Sequence, residues 1–342
     1  MTYKLNGIQL NEFFARVASD KKLYLPVDTE NGARFEEWTE GKTLSSKLNT
    51  VRSAKDFFFP QVQGIVDFKL EGKNIEVIDR REEVKDFVVF GVRACDAAAF
   101  AVLDKVFLSE PVDSFYAEKR NAATVITLAC SNPEETCFCS SFGIDASAPG
   151  GDVEARLVED ELYLSPLTEK GEAFVESIKD LLVSADDAVV EADKALIKAK
   201  IAKLPLASLK PADLRDKQLE TFESEAWAEL SQSCLGCGSC TFVCPTCQCY
   251  DIRDFDTGHE VKRFRCWDSC MYSDFTLMAA ENPRHTQLER FRQRFMHKLV
   301  YFPMNNDGVY GCVGCGRCLK KCPVSLNIVK VMKRIGGVKN EQ

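Results

Sequence analysis

The chain has 342 residues, of which 45% are apolar and 28% are charged, and its formal net charge is −8. This length allows two or three domains with cores of their own, and the acidic balance argues against the basic surface of a nucleic-acid binder. The first residues contain no apolar signal core and no segment is long enough to insert into a membrane, so we expect a cytoplasmic protein.

The first part of the chain alternates predicted strands and helices. Residues 87–92 and 124–128 are rich in β-branched and aromatic residues, which predicts two buried strands. Residues 96–103 lie between them and predict a helix. A strand, a helix and a strand in this order are typical of a crossover unit. We therefore predict an α/β (or α+β) N-terminal domain over residues 1–203.

The second part of the chain is predicted to be a separate domain. Residues 204–221 contain Pro205 and Pro211 and predict a linker. Residues 222–335 contain most of the cysteines, and we expect a mostly helical domain with a ferredoxin-like core and an insert over residues 246–311. No complete phosphate-binding loop and no GxGxxG motif after a strand occurs, so a familiar nucleotide site is not predicted.

A basic run in the insert, residues 290–298, also contains Phe291 and Phe295. The spacing of these aromatic residues predicts an amphipathic helix, which we favour over a nucleic-acid contact.

Sixteen cysteines need an explanation, and half of them belong to a motif that occurs twice. Residues 234–245 and 312–323 both have the spacing C-x2-C-x2-C-x3-C-P, the signature of bacterial ferredoxins. The glycines between the cysteines permit the loop to wrap three corners of a cluster, and in two-cluster ferredoxins the Cys-Pro thiol binds the other cluster. A pair of zinc sites is the alternative, although zinc sites favour separate CxxC pairs. We predict one 4Fe–4S cluster on Cys234, Cys237, Cys240 and Cys322, and a second on Cys312, Cys315, Cys318 and Cys244.

Four further cysteines lie in the insert between the two motifs. Cys266 and Cys270 are one turn apart if they are helical, so both thiols can face one site. Four thiols suffice for a third cluster or for one zinc ion, and free buried cysteines are the alternative. The predicted ligands of this third site are Cys247, Cys249, Cys266 and Cys270.

The last four cysteines belong to the N-terminal domain. Cys95 and Cys130 follow predicted strands that can be neighbours in the sheet. Both would then lie at the carboxyl ends of these strands, where α/β proteins place their functional sites. The other two share one loop. A further iron–sulfur or other metal site is therefore predicted here, with buried structural cysteines as the alternative. The candidate ligands are Cys95, Cys130, Cys137 and Cys139.

Five segments together resemble one family of proteins: residues 91–96, 137–141, 244–250, 267–270 and 312–323. They are similar to the iron–sulfur electron-transfer subunit of anaerobic sulfite reductase, to the iron–sulfur β subunit of archaeal sulfhydrogenases, and to related subunits of heterodisulfide-reductase-type flavin oxidoreductases. Simple ferredoxins lack the N-terminal segments and the CxC pair. The chain departs from the family at Cys266, where no ligand is expected, and at residues 279–281, which replace an expected Gly-Gly-His turn.

The resemblance implies a function in anaerobic metabolism. It implies an electron-transfer subunit of a cytoplasmic oxidoreductase complex, which relays electrons between a flavin-containing, NAD(P)H-linked subunit and a catalytic subunit. The chain is then not an enzyme by itself. The alternative is an enzyme subunit with its own flavin or small-substrate site in the N-terminal domain. A redox-sensing regulator would need an effector element, and the sequence contains none.

Charges near the two motifs differ. Arg317, Lys320 and Lys321 lie in or beside the second motif, where the first motif has uncharged residues. Positive charge stabilises the reduced, more negative form of a cluster. We therefore predict the higher reduction potential for the cluster of the second motif, unless solvent screens these side chains.

Overall fold

The computed structural model describes residues 1–7, 9–47 and 49–336 of the chain. Within them, strands make up two sheets, of eight and four strands. In chain order the strands are β1 (Tyr3–Leu5), β2 (Lys22–Thr29), β3 (Gly32–Glu37), β4 (Val62–Glu71), β5 (Asn74–Asp79), β6 (Phe87–Val92), β7 (Ala123–Leu128), β8 (Val153–Val158), β9 (Glu161–Pro166), β10 (Leu182–Ser184), β11 (Tyr250–Asp256) and β12 (Glu260–Trp267).

Helices surround the large sheet and form most of the C-terminal part. In chain order they are α1 (Leu10–Ala18), α2 (Ala94–Phe107), α3 (Ser114–Ala122), α4 (Glu169–Ser177), α5 (Asp187–Ala202), α6 (Ala212–Arg215), α7 (Gln218–Glu223), α8 (Ala226–Gln232), α9 (Ser239–Phe242), α10 (Gln287–Met296), α11 (Phe302–Asn305), α12 (Arg317–Lys321) and α13 (Ile328–Ile335). Short 3-10 helices occur at Ala54–Phe57, Cys139–Phe142 and Lys179–Leu181, and a π-helix, His297–Tyr301, follows α10 directly.

The eight-stranded sheet has the order β10-β1-β9-β8-β7-β6-β2-β3. Its four central strands, β8, β7, β6 and β2, are parallel, and the outer strands pair antiparallel. The predicted strands β6 and β7 and the predicted helix α2 between them are present, and all six side chains of each strand are buried. The α/β prediction for the N-terminal part is therefore confirmed.

Alternating side chains of the central strands pack into two cores. Val88 and Phe90 of β6 contact Phe13 and Phe14 of α1 on one face of the sheet. Val89 of β6 faces the other side, where the core contains side chains of α2 and of the first 3-10 helix. Because both faces of the sheet are covered here, the side chains on both faces of β6 and β7 are buried. This explains why neither strand has a polar face.

The C-terminal part is helical around a core that contains both cysteine motifs. Trp227 of α8 packs against Phe291 and Phe295 of α10. Leu209 and Leu214, which belong to the predicted linker, are buried in the same core. The predicted domain boundaries themselves stay a prediction.

The second sheet combines hairpins from both parts of the chain. Strands β4 and β5 of the N-terminal part continue into β12 and β11 of the cysteine-containing insert, in the order β11-β12-β4-β5. The prediction of a mostly helical C-terminal domain is therefore correct only in part. Trp267, at the end of β12, is buried in the N-terminal core and donates a hydrogen bond to the carbonyl oxygen of Phe59 at 3.2 Å.

Among the described residues, no helix combines the length and the apolar character that a membrane span needs.

Candidate metal centres

The thiols of the second motif are gathered around a cysteine of the first. Burial, together with the nearby charge of Cys244, raises the pKa of Cys312 to about 12. Burial and the charge of Cys244 likewise raise the pKa of Cys315 and of Cys318. The charge of Cys244 thus reaches all three cysteines of the other motif. Crossed ligation of the second cluster requires this neighbourhood.

The first motif lies nearer the surface. Cys240 in α9 is a neighbour of Cys234. Cys237 is exposed, and its pKa is lowered because the side chain and the backbone of Ser239 hydrogen-bond to its sulfur. Cys322 is half-buried, and its sulfur accepts a hydrogen bond of 3.2 Å from a backbone N–H four residues later. Helices α9 and α12 pack together, but the assignment of Cys322 to the first motif stays a prediction.

The loop of the second motif is fastened to the N-terminal part. The backbone N–H of Phe138 donates to the carbonyl oxygen of Gly314 at 2.8 Å, and the side-chain amide of Asn49 donates to the carbonyl oxygen of Cys315 at 2.7 Å. Gly314 has a φ of 60°. A Cβ atom on it would lie 2.4 Å from the carbonyl oxygen of Phe138, so this close approach requires glycine.

The four N-terminal cysteines line one small cavity. One is the second residue of α2, which follows β6, one follows β7, and two belong to the loop and 3-10 helix that come next. This order places all four at the carboxyl edge of the parallel strands. The cavity wall also includes Arg93, Glu134 and Cys315 of the second motif. Burial raises the pKa of all four thiols. The structure brings together Cys95, Cys130, Cys137 and Cys139.

Three of the four insert cysteines are close neighbours. A hydrogen bond from Cys270 lowers the pKa of Cys249, and Cys247 donates a hydrogen bond to Cys244. Cys247 in turn is near Cys270, which is a neighbour of Cys240. The insert cysteines therefore lie between the two motifs.

Cys266 does not lie with them. It is on β12, opposite Asp251 of β11 and Val62 of β4. Burial raises its pKa, and the charges that reach it belong to Arg253, Asp251 and Asp268 and not to a cysteine. Side chains alternate along a strand, so Cys266 faces away from Trp267, which enters the core. The structure therefore does not bring Cys266 together with the other three insert cysteines, and the four-cysteine insert site stays a prediction.

Two buried cations lie between the motifs. The ammonium group of Lys298 donates to the hydroxyl of Thr246 and the carbonyl of Gly311, both at 2.8 Å, and to the sulfur of Cys244 at 3.3 Å. Arg294, one turn earlier, is 3% exposed, and its Nε has no hydrogen-bond partner among the described residues. Burial lowers the pKa of both side chains, but neighbouring cysteine charges outweigh it and raise both values.

A third buried cation comes from the N-terminal part. Lys55 donates to the backbone carbonyls of Cys244 and Cys247 at 3.1 and 3.0 Å, and its ammonium lies 3.6 Å from the ring centroid of Trp267. Burial lowers its pKa to about 8. Lys55 thus connects the first 3-10 helix to the Cys-Pro loop of the first motif.

The cations of the second motif are compensated or exposed. The guanidinium of Arg317 is buried and forms a paired contact with the carboxylate of Asp96, with distances of 2.5 and 2.7 Å. Lys320 forms a surface ion pair with Glu134 at 2.8 Å. Lys321 is exposed. The predicted order of the potentials relied on these three charges unless solvent screens them. Arg317 is neutralised by Asp96, and Lys320 and Lys321 lie at the surface, where solvent screens them.

A separate cavity of about 520 Å³ lies between the two sheets. Its walls include the rings of Tyr24, Phe57 and Phe115 and several charged side chains. Among these, Lys119 has its pKa lowered to about 8 by burial. The cavity is at the amino ends of β2 and β6, and the N-terminal cysteines follow the carboxyl ends of β6 and β7.

The donor chemistry of the two motifs fits iron–sulfur clusters. Thiols are the ligands such clusters use, the helical core covers them, and the unpartnered Nε of Arg294 is a donor left for an acceptor. Within residues 1–7, 9–47 and 49–336, no three His, Cys, Asp or Glu side chains converge as ligands of a single metal ion do. A cubane holds its four thiolates at separate corners, farther apart than the ligands of one ion.

Comparisons with known proteins agree with the geometry. Residues 233–326 match the family model of the 4Fe-4S dicluster domain. The chain is 35% identical over 337 residues to sulfhydrogenase 2 subunit beta of Pyrococcus furiosus, and the match covers 97% of both chains. No solved structure matches the chain. The predicted resemblance is confirmed: this chain belongs to the family of sulfhydrogenase β subunits, which are iron–sulfur electron-transfer subunits of oxidoreductases.

Proposed function

We propose that this chain relays electrons inside a cytoplasmic multisubunit oxidoreductase, between a flavin-containing, NAD(P)H-linked subunit and a catalytic subunit. One observation supports this function above the others. Cysteines whose charges reach one another extend from the N-terminal cavity through the second motif and the insert to Cys240 of the first motif. A protein that only stores or senses redox state has no need for such a series across its whole body.

The series begins in the N-terminal half. Cys139 lies in the N-terminal cavity and is a neighbour of Cys315 in the second motif. Cys315 is a neighbour of Cys244, which contacts Cys247 in the insert. A 4Fe–4S cluster, when bound, accepts and donates single electrons. The residues around it exclude water and hold the ligands in place.

The series ends at the surface. Cys247 is near Cys270, and Cys270 is near Cys240 of the first motif. The same motif contains the exposed Cys237. We propose that the first motif exchanges electrons with one partner subunit, because its cluster would be the one most accessible from outside.

The ligand assignment is part of this proposal. Cys234, Cys237, Cys240 and Cys322 would hold one cluster, and Cys312, Cys315, Cys318 and Cys244 the other. Cys95, Cys130, Cys137 and Cys139 would hold a further cluster, which their common cavity supports. Cys247, Cys249 and Cys270 would belong to another, and a ligand other than Cys266 would complete it.

Purification of the tagged full-length chain under anaerobic conditions from its own host tests this function. We expect at least about eight iron atoms per chain from two cubane clusters, and a co-purifying flavoprotein identified by mass spectrometry. NAD(P)H should then reduce the clusters in the complex but not in the isolated chain. A chain that contains zinc instead of iron would overturn the proposal, and so would an iron-loaded chain that purifies without partners.

A second candidate function places a flavin or a small substrate in the N-terminal half. The 520 Å³ cavity favours it, because its size is typical of ligand sites and aromatic rings and cations line it. Release of a flavin from the isolated, denatured chain would support this candidate. Its absence, together with flavin in the co-purifying subunit, supports the relay.

A further inference from the structure

Arg294 and Lys298 occupy the apolar stripe of their helix. Phe291, Phe295 and Leu299 form this stripe, and all three are buried. Arg294 follows Phe291 by three residues and Lys298 follows Phe295 by three, so both cations lie on the same face, where they are 3% and 5% exposed. A buried cation is costly unless a negative group compensates it. The surroundings of these two side chains therefore have to explain their positions.

The compensating groups are cysteines. Cysteines bind a cluster as thiolates, and in that form Cys240, Cys318, Cys247 and Cys244 would act on Arg294, and Cys244, Cys247 and Cys312 on Lys298. Among the described residues, neither cation forms an ion pair with a carboxylate, in contrast to Arg317 with its partner Asp96. Arg294 thus lies near cysteines of both motifs, and Lys298 contacts Cys244, the predicted fourth ligand of the second cluster, and lies near Cys312 and Cys247.

The two side chains differ in what they donate. Lys298 uses its three donors on Thr246, Gly311 and Cys244, so its position is fixed. Arg294 packs its guanidinium 4.4 Å from the ring centroid of Phe295 and keeps its Nε–H without an acceptor. An unpartnered donor in the core is unfavourable, and a cluster sulfur beside it would provide the missing acceptor.

We propose that Arg294 and Lys298 set the reduction potentials of the two ferredoxin-type clusters, with Lys298 acting on the cluster of the second motif and Arg294 on both. This proposal rests on the proposed function, because it requires that the chain binds both clusters. Reduction adds one electron from the donor to the cluster and forms or breaks no bond. The four thiolate ligands give the cluster a negative charge, and reduction makes this charge larger. A buried cation nearby therefore stabilises the reduced form more than the oxidised form, which raises the reduction potential.

The test is an anaerobic redox titration of the full-length, cluster-loaded chain, followed by electron paramagnetic resonance. Lys298→Met removes the buried charge, and Lys298→Arg keeps it. Lys320→Met is the matched control, because it makes the same substitution at an exposed lysine of the second motif itself. The signal of the second cluster is assigned by its loss in Cys318→Ala.

We expect Lys298→Met to lower the potential of the second cluster, and Lys298→Arg and Lys320→Met to leave it close to wild type. Arg294→Lys keeps a charge but removes the Nε–H, so it should lower both potentials less than Arg294→Gln does. If Lys298→Met does not retain its iron, Lys298→Gln, which keeps a donor toward Thr246 and Gly311, takes its place.

Two outcomes would overturn the proposal. The first is a full iron content with unchanged potentials in Lys298→Met or Lys298→Gln. The second is an equal shift in Lys320→Met. In both cases the clusters are present, so the relay function survives. A wild-type chain without iron would instead overturn the relay function on which the inference rests.

Discussion

Two glycines at equivalent positions of the repeated motif have different surroundings. Gly236 and Gly314 have φ values of 63° and 60°. A Cβ atom on Gly236 would have its nearest neighbour, an oxygen of Gln287, at 4.0 Å, whereas on Gly314 it would lie 2.4 Å from the carbonyl oxygen of Phe138. The repeat therefore fixes the backbone conformation of both glycines, and contact with the N-terminal part adds a steric requirement at Gly314 only.

Alanine at the two positions should separate these requirements. Gly236→Ala should lower the free energy of unfolding by about 1 kcal/mol, because it places a side chain at positive φ. Gly314→Ala should cost about 1–3 kcal/mol more, because the loop has to move away from Phe138. Chemical denaturation of both variants, purified under anaerobic conditions, measures the difference. Equal losses would contradict the fastening of this loop to the N-terminal part.

The insert cysteines allow a paired test of iron content. Cys270→Ser should lower iron by about four atoms per chain if the insert holds a cluster, because Cys270 lies beside Cys249 and near Cys247. Cys266→Ser, four residues away on β12, should leave the iron content unchanged. Iron analysis of the two variants beside the wild type decides the matter, and unchanged iron in both would mean that these insert thiols are free.

The local motif could be predicted, but the buried cations were missed. Three cysteines separated by two residues each can wrap three corners of one cluster, so their spacing alone indicates the chemistry. The sequence predicted an amphipathic helix over the basic run of residues 290–298, but this prediction did not single out Arg294 and Lys298. The sequence does contain a signal for their burial. Their spacing from Phe291, Phe295 and Leu299 puts both cations in the apolar stripe of the helix.

At the scale of elements, the hairpin of β11 and β12 pairs with β4 through β12 and places one aromatic side chain, Trp267, in the N-terminal core. Trp267 is 8% exposed and stacks on Phe59 with ring centroids 5.8 Å apart. Phe255, on the same hairpin, is 60% exposed. The hairpin is therefore attached to the N-terminal core at one end, and its distal end lies in solvent.

Truncation of the two aromatic residues should have unequal effects. Trp267→Ala should lower the free energy of unfolding by about 3–5 kcal/mol, because it leaves a cavity in the N-terminal core. Phe255→Ala should change it by less than about 0.5 kcal/mol. Denaturation midpoints of the two variants provide the comparison. A small effect at Trp267 would mean that the second sheet is not anchored through this residue.

The sequence predicted β6, α2 and β7 because these elements are close in the chain and bury their apolar residues against one another. It did not predict the second sheet, for two physical reasons. Strand β11 is rich in charged residues, and six of its seven side chains are exposed. Strands β12 and β4 are distant in sequence, so their pairing has no local signal.

At the scale of the whole molecule, the two predicted domains share a sheet, a core and a cysteine cavity. A fragment that begins at residue 222 lacks strand β4, the core around Trp267, and the backbone donor of Phe138. We expect this fragment to aggregate or to retain less iron than the full chain. Expression of both under anaerobic conditions, with iron analysis and size-exclusion chromatography, tests this. A soluble fragment with full iron content would show that the dicluster domain folds alone.

The shared sheet also has a consequence for the order of events during synthesis on the ribosome. Strand β4 ends at Glu71, and its partner β12 begins at Glu260. At about 5–20 residues per second, on the order of 10–40 seconds separate the two strands. During this time the hairpin of β4 and β5 has an open edge, and such hairpins are marginally stable and prone to pair with other chains. This edge therefore stays unpaired until residues 260–267 have been synthesised, and crossed ligation of the two clusters has to wait for Cys322.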